Sequence, residues 1–132
     1  MISKEVISGL LSDIAQGRES FTTLSSNHSY HWRIEVNGYE IVIFDDAGEC
    51  DYVEWAVSPE GEKTTFDEWW NASQPLWPVT ADSPALDSGR EEEVRFSKLF
   101  KPTDPIDLLS VSDHLALEWI MNTELEAQAR LG

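Results

Sequence analysis

The dipeptide Asn37-Gly38 is the feature of this sequence that most constrains the fold. Asn-Gly supplies the positive φ angles that a two-residue type I′ turn needs, and runs of alternating apolar residues flank it on both sides. We therefore predict a β-hairpin in which Val36 lies opposite Tyr39. In that register one face of the hairpin is apolar throughout and forms the predicted core face, with Trp32, Ile34, Val36, Tyr39, Ile41 and Ile43.

Two further strands are predicted after the hairpin. A turn at residues 45–49 leads to a third strand over residues 50–58, with Val53, Trp55 and Val57 on one face. Another turn precedes a short fourth strand over residues 63–66. The segment before the hairpin, residues 18–29, is rich in Ser, Thr and Asn and is therefore predicted to be a loop.

Helices are predicted on both sides of these strands, because apolar residues recur there at spacings of three and four. Asp104-Pro105 predicts one additional turn of helix, since Asp caps a helix and Pro fits its first position. The predicted helices cover residues 3–16, 66–72 and 91–100, and the last one begins at Ser112. Ser3 is the predicted N-cap of the first helix, and Gly17 its predicted stop.

Together these elements predict an α+β fold: an antiparallel β-meander of three to four strands, packed against an N-terminal helix and C-terminal helices. At 132 residues, 41% of them hydrophobic, the chain has the size of one domain with its own core. We predict a single domain over residues 1–132. Its N-terminal helix and loop lie in 1–29, its sheet in 30–66, and its helices and an irregular Pro-rich segment in 67–132.

The balance of charge limits the partners. Asp and Glu number 25 against 9 Lys and Arg, which gives a net charge of −16. Such a field repels nucleic acid and anionic membrane surfaces and favours basic protein surfaces or cations. The single cysteine, Cys50, excludes an internal disulfide and indicates a reducing compartment. Because the sequence shows no signal-peptide pattern and no long apolar run, we expect a cytoplasmic protein.

The acidic residues are concentrated in the predicted strands and turns. One interpretation is a solvated sheet face with acidic turns. The sharper interpretation is mimicry of nucleic acid. Carboxylates at alternate strand positions are about 6.6 Å apart, and each DNA strand carries a phosphate about every 3.4 Å along the helix axis. The two spacings are on the same length scale. Nine acids lie in this run with no Lys or Arg between them: Glu35, Glu40, Asp45, Asp46, Glu49, Asp51, Glu54, Glu60 and Glu62.

Tryptophan supplies the candidate apolar contacts to a partner. Trp69 and Trp70 are adjacent on a predicted helix and point in different directions, so we expect one of them to anchor an interface. Trp119 is predicted to pack at the edge of the apolar stripe of the last helix. The irregular segment over residues 73–90 is predicted to be held down by Leu76 and Trp77.

No motif in the sequence meets the requirements of catalysis. His28, His31 and His114 lie in no nucleophile signature, and the sequence contains no Gly-rich phosphate loop, no His-Glu-x-x-His helix and no Cys-x-x-Cys pair. Cys50 is flanked by acids, which disfavour a thiolate. Pairs of carboxylates at a glycosidase-like distance arise by chance among 25 acids. We therefore predict a protein that is not an enzyme and takes no cofactor.

The turn over residues 45–51 has two interpretations. Its carboxylates are hard oxygen ligands that suit Ca²⁺, but it lacks the alternating ligands and the twelfth-position Glu of a helix–loop–helix calcium site. The simpler interpretation is a solvated turn in which Gly48 takes a positive φ. We therefore predict no metal site.

Several short motifs lie from residue 30 onward: Gly38-Tyr39, Phe44-Asp45-Asp46, Asp51-Tyr52, Phe66-Asp67-Glu68-Trp69, residues 104–110 and His114. With these motifs the sequence resembles a small uncharacterised acidic family of pseudomonads. The family has no assigned function, so the resemblance implies one α+β domain and a pseudomonad host, with which a phage origin is compatible.

These observations lead to a functional hypothesis. We expect a non-enzymatic inhibitor, of phage type and acting in the host cytoplasm, that occupies the nucleic-acid-binding groove of a host enzyme such as DNA gyrase or another topoisomerase, a CRISPR effector, a restriction enzyme or RNA polymerase. An immunity or antitoxin protein that neutralises a basic nuclease toxin is the alternative, because such pairs also use acidic faces for electrostatic steering. A housekeeping domain with incidental charge is a third possibility, and the sequence leaves a homodimer open.

Overall fold

A computed structural model gives the fold and describes residues 1–27, 30–73, 89–99 and 102–131. The predictions about His28, about Leu76 and Trp77, and about most of the segment 73–90 lie outside these residues. Within them the helices are α1 (Lys4–Ala15), α2 (Phe66–Ser73), α3 (Arg90–Ser97) and α4 (Val111–Leu131), with a 3₁₀ helix over Pro105–Leu108. The strands are β1 (Thr22–Asn27), β2 (His31–Val36), β3 (Tyr39–Asp46), β4 (Glu49–Val57) and β5 (Lys63–Thr65).

The predicted α+β class is confirmed. The five strands form one antiparallel sheet in the order β1-β2-β3-β4-β5. Val36 pairs with Tyr39, as predicted, and Asn37 and Gly38 have φ angles of 50° and 81°. A Cβ atom on Gly38 would lie 3.1 Å from Cγ of Pro59, so the hairpin turn lies directly beside the turn that follows β4.

Two predictions about the strands were wrong. The Thr- and Ser-rich segment before the hairpin contains β1, which pairs with β2 and so satisfies the backbone groups along that edge. In β4, Val53 is buried in the core, but Trp55 pairs with Val42 on the opposite face. The register between β3 and β4 shifts near Ile43, and such a bulge changes which side chains face the core.

The helices cover one face of the sheet, which we call the core face. Helix α1 begins at the predicted cap, where the side chain of Ser3 accepts a hydrogen bond from the backbone N–H of Val6, and it ends before Gly17, whose φ is 75°. The core cluster joins the sheet residues predicted for this face to apolar side chains of α1, α2, the 3₁₀ helix and α4, among them Ile7, Leu11, Trp69, Ile106, Leu117 and Met121.

The final helix departs from one expectation. Trp119 of α4 does not pack at the edge of the apolar stripe but has 70% of its surface exposed. The buried side of the helix is set by Leu117 and Met121, and Trp119 lies two positions from each, too far around the helix to reach the sheet. Among the described residues, no helix has both the length and the apolar character needed to cross a bilayer.

Candidate protein-binding surface

The first group of predicted site residues lies at the hairpin end of the sheet. Glu35 and Glu40 pair across β2 and β3, next to the Asn37-Gly38 turn. Glu60 and Glu62 lie in the connection between β4 and β5, which the contact of Gly38 with Pro59 places beside that turn. Four of the nine acids therefore lie close together at this end.

The second group lies at the opposite end, around the turn between β3 and β4. Asp46 pairs with Glu49 across this turn, and Asp51 follows in β4. Asp46 lies six positions after Glu40 along β3, and at about 3.3 Å per position the two ends are about 20 Å apart. The predicted sites thus form two groups rather than one continuous row.

Several of the nine carboxylates form ion pairs. Glu49 lies 2.7 Å from Arg90, and Glu54 lies 2.9 Å from His31. Glu40 pairs with Arg33 on the neighbouring strand, and Glu62 lies 3.4 Å from the N-terminal ammonium. The remaining exposed members form no ion pair within the described part of the chain: Glu35, Asp46, Asp51 and Glu60.

Asp45 has a different environment. It has no exposed surface, and one oxygen, Oδ1, accepts a hydrogen bond of 2.7 Å from the backbone N–H of Gly48. The other oxygen, Oδ2, has no hydrogen-bond partner among the described residues. The carboxylate thus closes the turn, in which Gly48 has a φ of 92°, and it does not face a partner.

Loss of water and, after it, the charges of neighbouring acids raise two pKa values at the turn end. The loss of nearby water raises the pKa of Asp51, and the charge of Asp46 raises it further. The same loss of water raises the pKa of Glu49, against the opposing effect of Arg90. The carboxylates at this end therefore repel one another, and a cation between them would relieve that repulsion.

The two predicted tryptophan anchors have different surroundings. Trp69 is buried in the core, and its Nε1–H donates a hydrogen bond of 2.9 Å to the carbonyl of Ile2. Trp70, one position on, is partly exposed and lies with its ring centroid 5.8 Å from that of Phe66. Of the two, Trp70 is the one whose position suits contact with a partner.

A row of four aromatic rings lies on the face of the sheet that points away from α1 and α4, and the sequence analysis missed it. We call Phe44, Tyr52, Phe66 and Trp70 the aromatic row. Successive ring centroids are 5.2 Å, 4.6 Å and 5.8 Å apart, and each ring is partly exposed. The outward positions of Phe44 in β3 and the four-residue spacing from Phe66 to Trp70 in α2 were the available signals.

Ionisable side chains lie close to Trp55 and Tyr52 on the same outer face. His31 lies with its ring 6.3 Å from that of Trp55, and Lys63 places its Nζ atom 4.6 Å from the centre of the Trp55 ring. The pKa of the Tyr52 hydroxyl is raised, first by loss of water and then by nearby acids, including Glu54. The outer face therefore combines aromatic rings with carboxylates.

A buried polar network joins α3 to α4 and β4. The Nη2 atom of Arg90 lies 2.6 Å from Oε2 of Glu118, which also accepts a hydrogen bond from the backbone N–H of Cys50. Burial acts to raise the pKa of Glu118, but hydrogen bonds from His114 and Arg90 outweigh it and lower the pKa to about 2. Glu118 is thus held ionised as the anchor of α3.

His114 belongs to the same network. Its Nε2 atom lies 3.0 Å from the carbonyl oxygen of Cys50 and 3.2 Å from Oε2 of Glu118, two acceptors that require Nε2 to carry a hydrogen. Its Nδ1 atom lies 3.0 Å from Nζ of Lys98 and accepts the bond that this ammonium donates. Burial lowers the pKa of Lys98. Both ring nitrogens of His114 therefore form contacts within the fold.

The geometry around the single thiol disfavours nucleophilic chemistry. Cys50 is fully buried, and burial raises the pKa of its thiol, with a further contribution from Glu118. Among the described residues, no group of three or more His, Cys, Asp or Glu side chains is arranged to hold a metal ion. The exposed side chains that remain for contact with a partner are thus mainly carboxylates and aromatic rings.

The fold and this surface define a small acidic α+β domain with a mixed carboxylate and aromatic outer face. Comparison with known families identifies it further: the family described as a domain of unknown function (DUF7693) matches residues 1–80. The chain belongs to this family, which confirms the expected placement in an uncharacterised family. No curated protein and no solved structure matches the chain. The matched residues include α1, the whole sheet and α2, whereas α3 and α4 lie beyond them.

Proposed function

We propose that this protein is a non-enzymatic acidic inhibitor that binds the nucleic-acid-binding groove of a host enzyme. The supporting observation is the set of exposed carboxylates without ion-pair partners at both ends of the sheet: Glu35 and Glu60 at one end, Asp46 and Asp51 at the other. The separation of about 20 Å corresponds to about six phosphates of one DNA strand, counted by their rise of about 3.4 Å along the helix axis. A Lys- and Arg-lined groove would receive both groups, because its positive charges attract these carboxylates.

The classes of target follow from this chemistry. DNA gyrase or another topoisomerase, a CRISPR effector, a restriction enzyme and RNA polymerase all bind nucleic acid through basic grooves. A pseudomonad host, a phage origin and action in the host cytoplasm complete the proposal. The charge of −16 would steer association with such a groove over long distances at low salt.

The test is displacement of DNA from such an enzyme at low salt. Two double variants remove the proposed groups, Glu35→Lys with Glu60→Lys and Asp46→Lys with Asp51→Lys. A matched control, Glu5→Lys with Glu126→Lys, changes the net charge equally at exposed positions of α1 and α4. We expect the concentration for half-displacement to rise at least tenfold for each test variant and less than threefold for the control, as measured by fluorescence anisotropy of labelled DNA.

Two outcomes would contradict the proposal. If the unmodified protein displaces DNA from none of these enzymes, the groove is not its site. If all three double variants lose activity equally, net charge alone accounts for the effect and the two carboxylate groups have no special role.

The aromatic row favours a second candidate, an immunity or antitoxin protein that neutralises a basic nuclease toxin. Partly exposed rings beside carboxylates are typical of the anchors of tight protein interfaces, and phosphate mimicry alone does not require them. A toxin gene beside this one and tight capture of its product would favour this candidate. A neighbourhood of phage genes would favour the first.

A further inference from the structure

The aromatic row has the composition of a binding site for cationic side chains. Rings attract cations to their faces because their π systems are electron-rich, and the effect grows when carboxylates lie nearby. Tyr52 lies inside the row: the Phe44 ring is stacked with it at an interplanar angle of 15°, and the Phe66 ring is tilted against it at 45°. The row is thus a continuous aromatic surface rather than a scatter of single rings.

Carboxylates complete this composition. Glu54, Asp51 and Asp67 are close enough to raise the pKa of the Tyr52 hydroxyl, after the larger effect of lost water. The ammonium or guanidinium of a partner that lies on the exposed side of the row, beside Tyr52, would therefore be attracted by both the rings and this local negative charge.

Cations of the protein itself already use neighbouring parts of the same face. Lys63 lies over the ring of Trp55, and Arg33 pairs with Glu40 across β2 and β3. The face thus accepts both an ammonium on a ring and a guanidinium on a carboxylate. On the same face, the aromatic row offers rings and carboxylates to a cation from another molecule.

We propose that the aromatic row binds arginine side chains of a basic segment in the partner protein. Arginine fits better than lysine because its planar guanidinium stacks on a ring and donates hydrogen bonds to a carboxylate at the same time. The choice of a basic protein as occupant rests on the proposed function, but the site itself does not depend on nucleic-acid mimicry.

The first test uses the unmodified protein and two labelled peptides, nona-arginine and nona-lysine, in fluorescence anisotropy. At low salt the charge of −16 attracts both peptides. At about 0.5 M salt, where the Debye length is roughly 4 Å, we expect nona-arginine to bind at least tenfold more tightly than nona-lysine. Equal affinities for the two peptides at this salt concentration would overturn the proposal.

The second test uses variants of the central ring. Tyr52→Leu keeps an apolar side chain but removes the ring that joins Phe44 to Phe66. We expect this interruption of the row to weaken nona-arginine binding by roughly tenfold at high salt. Tyr52→Phe keeps the ring and is expected to stay within twofold of the unmodified protein. The control is Trp119→Leu, which removes a more exposed aromatic ring on α4, away from the row, and should leave binding unchanged.

The outcomes separate this inference from the proposed function. If Tyr52→Leu binds nona-arginine as the unmodified protein does, the row is not the site, even where the carboxylate variants still lose DNA displacement. If the protein displaces DNA from no enzyme but keeps the arginine preference and loses it in Tyr52→Leu, the row stands and groove binding fails. If circular dichroism shows that Tyr52→Leu is unfolded, Phe66→Leu replaces it as the variant of the row. That variant and the comparison of the two peptides then test the proposal.

Discussion

At the scale of single residues, burial assigns different roles to side chains of one type. Asp45 and Asp104 are acids like Asp46 and Asp51, but they are enclosed by the fold and cap backbone N–H groups. The carboxylate of Asp104 accepts hydrogen bonds from the backbone N–H groups of Val53, at 2.8 Å, and Ile106, at 3.3 Å. An acid count therefore overstates the number of carboxylates that a partner can reach.

Asp104 gives a prediction about pH. Burial, with a contribution from Asp107, raises the pKa of Asp104 to about 8. A carboxyl group with a raised pKa in the folded state contributes stability that is complete below its unfolded pKa of about 3.9 and is lost as pH rises toward 8. Between pH 5 and 8 the unmodified protein should lose stability that Asp104→Asn keeps. We expect the free energy of unfolding of Asp104→Asn, relative to that of the unmodified protein, to rise by up to about 1.4 kcal/mol per pH unit.

Urea unfolding at several pH values between 5 and 8 measures this difference. Asn keeps one oxygen for the N–H groups of Val53 and Ile106, so the comparison isolates the charge. Asp67→Asn, at an exposed position of α2, controls for the loss of any one acid. A difference between Asp104→Asn and the unmodified protein that does not change with pH would show that Asp104 is ionised throughout.

At the scale of secondary-structure elements, α3 is attached mainly through the ion pairs of one residue, Arg90, with Glu118 and Glu49. Its sequence places three acids in the first turn and only Val94 in the core, so its own apolar contacts are few. Arg90 compensates by donating two hydrogen bonds to Glu118 of α4, from Nε at 3.0 Å and Nη2 at 2.6 Å. The attachment of α3 to the rest of the fold is therefore largely electrostatic.

Removal of Arg90 should therefore destabilise the protein. In Arg90→Ala the Glu118 carboxylate, with 8% of its side chain exposed, keeps its charge but loses its strongest partner. We expect a loss of about 2 kcal/mol in the free energy of unfolding, less than for a fully buried pair because Arg90 itself is 32% exposed.

Arg95→Ala is the matched control in the same helix. Arg95 pairs with Glu91 at 2.6 Å, but both side chains are more than half exposed, at 57% and 58%. Such surface pairs contribute little, so a change within about 0.5 kcal/mol is expected by urea unfolding. Equal losses in the two variants would show that the Arg90 and Glu118 contact has no special importance.

At the scale of the whole molecule, the charge of −16 opposes folding as well as directing association. The exposed carboxylates repel one another in the compact state more than in the expanded unfolded chain. The described ion pairs offset part of this repulsion, and most of them are exposed.

Added salt should consequently stabilise the protein. Raising the NaCl concentration from about 0.05 to 0.5 M shortens the Debye length from roughly 14 to 4 Å and screens the repulsion between exposed carboxylates. We expect Tm to rise, and to rise less in the variant Glu5→Lys with Glu126→Lys, whose net charge is smaller in magnitude. Differential scanning calorimetry measures both changes. A Tm that falls with salt would mean that attractive pairs outweigh the repulsion.

The sequence by itself determined the elements whose signals are local. The Asn37-Gly38 turn, the cap at Ser3 and the cap at Asp104 each depend on residues only a few positions apart, and each lies where it was predicted. The hairpin register follows from that turn, and with it the core positions of Trp32 and Ile41.

Only the tertiary structure decided what depends on distant partners. The strand β1 exists because the edge of β2 is available for pairing, and a bulge between β3 and β4 placed Trp55 on the outer face. The burial of Asp45 and the meeting of Phe44 with Tyr52 likewise depend on how the chain returns on itself. Local pattern fixes the conformation of a segment, whereas exposure and proximity are properties of the packed chain, and these two decide which acids and rings can meet a partner.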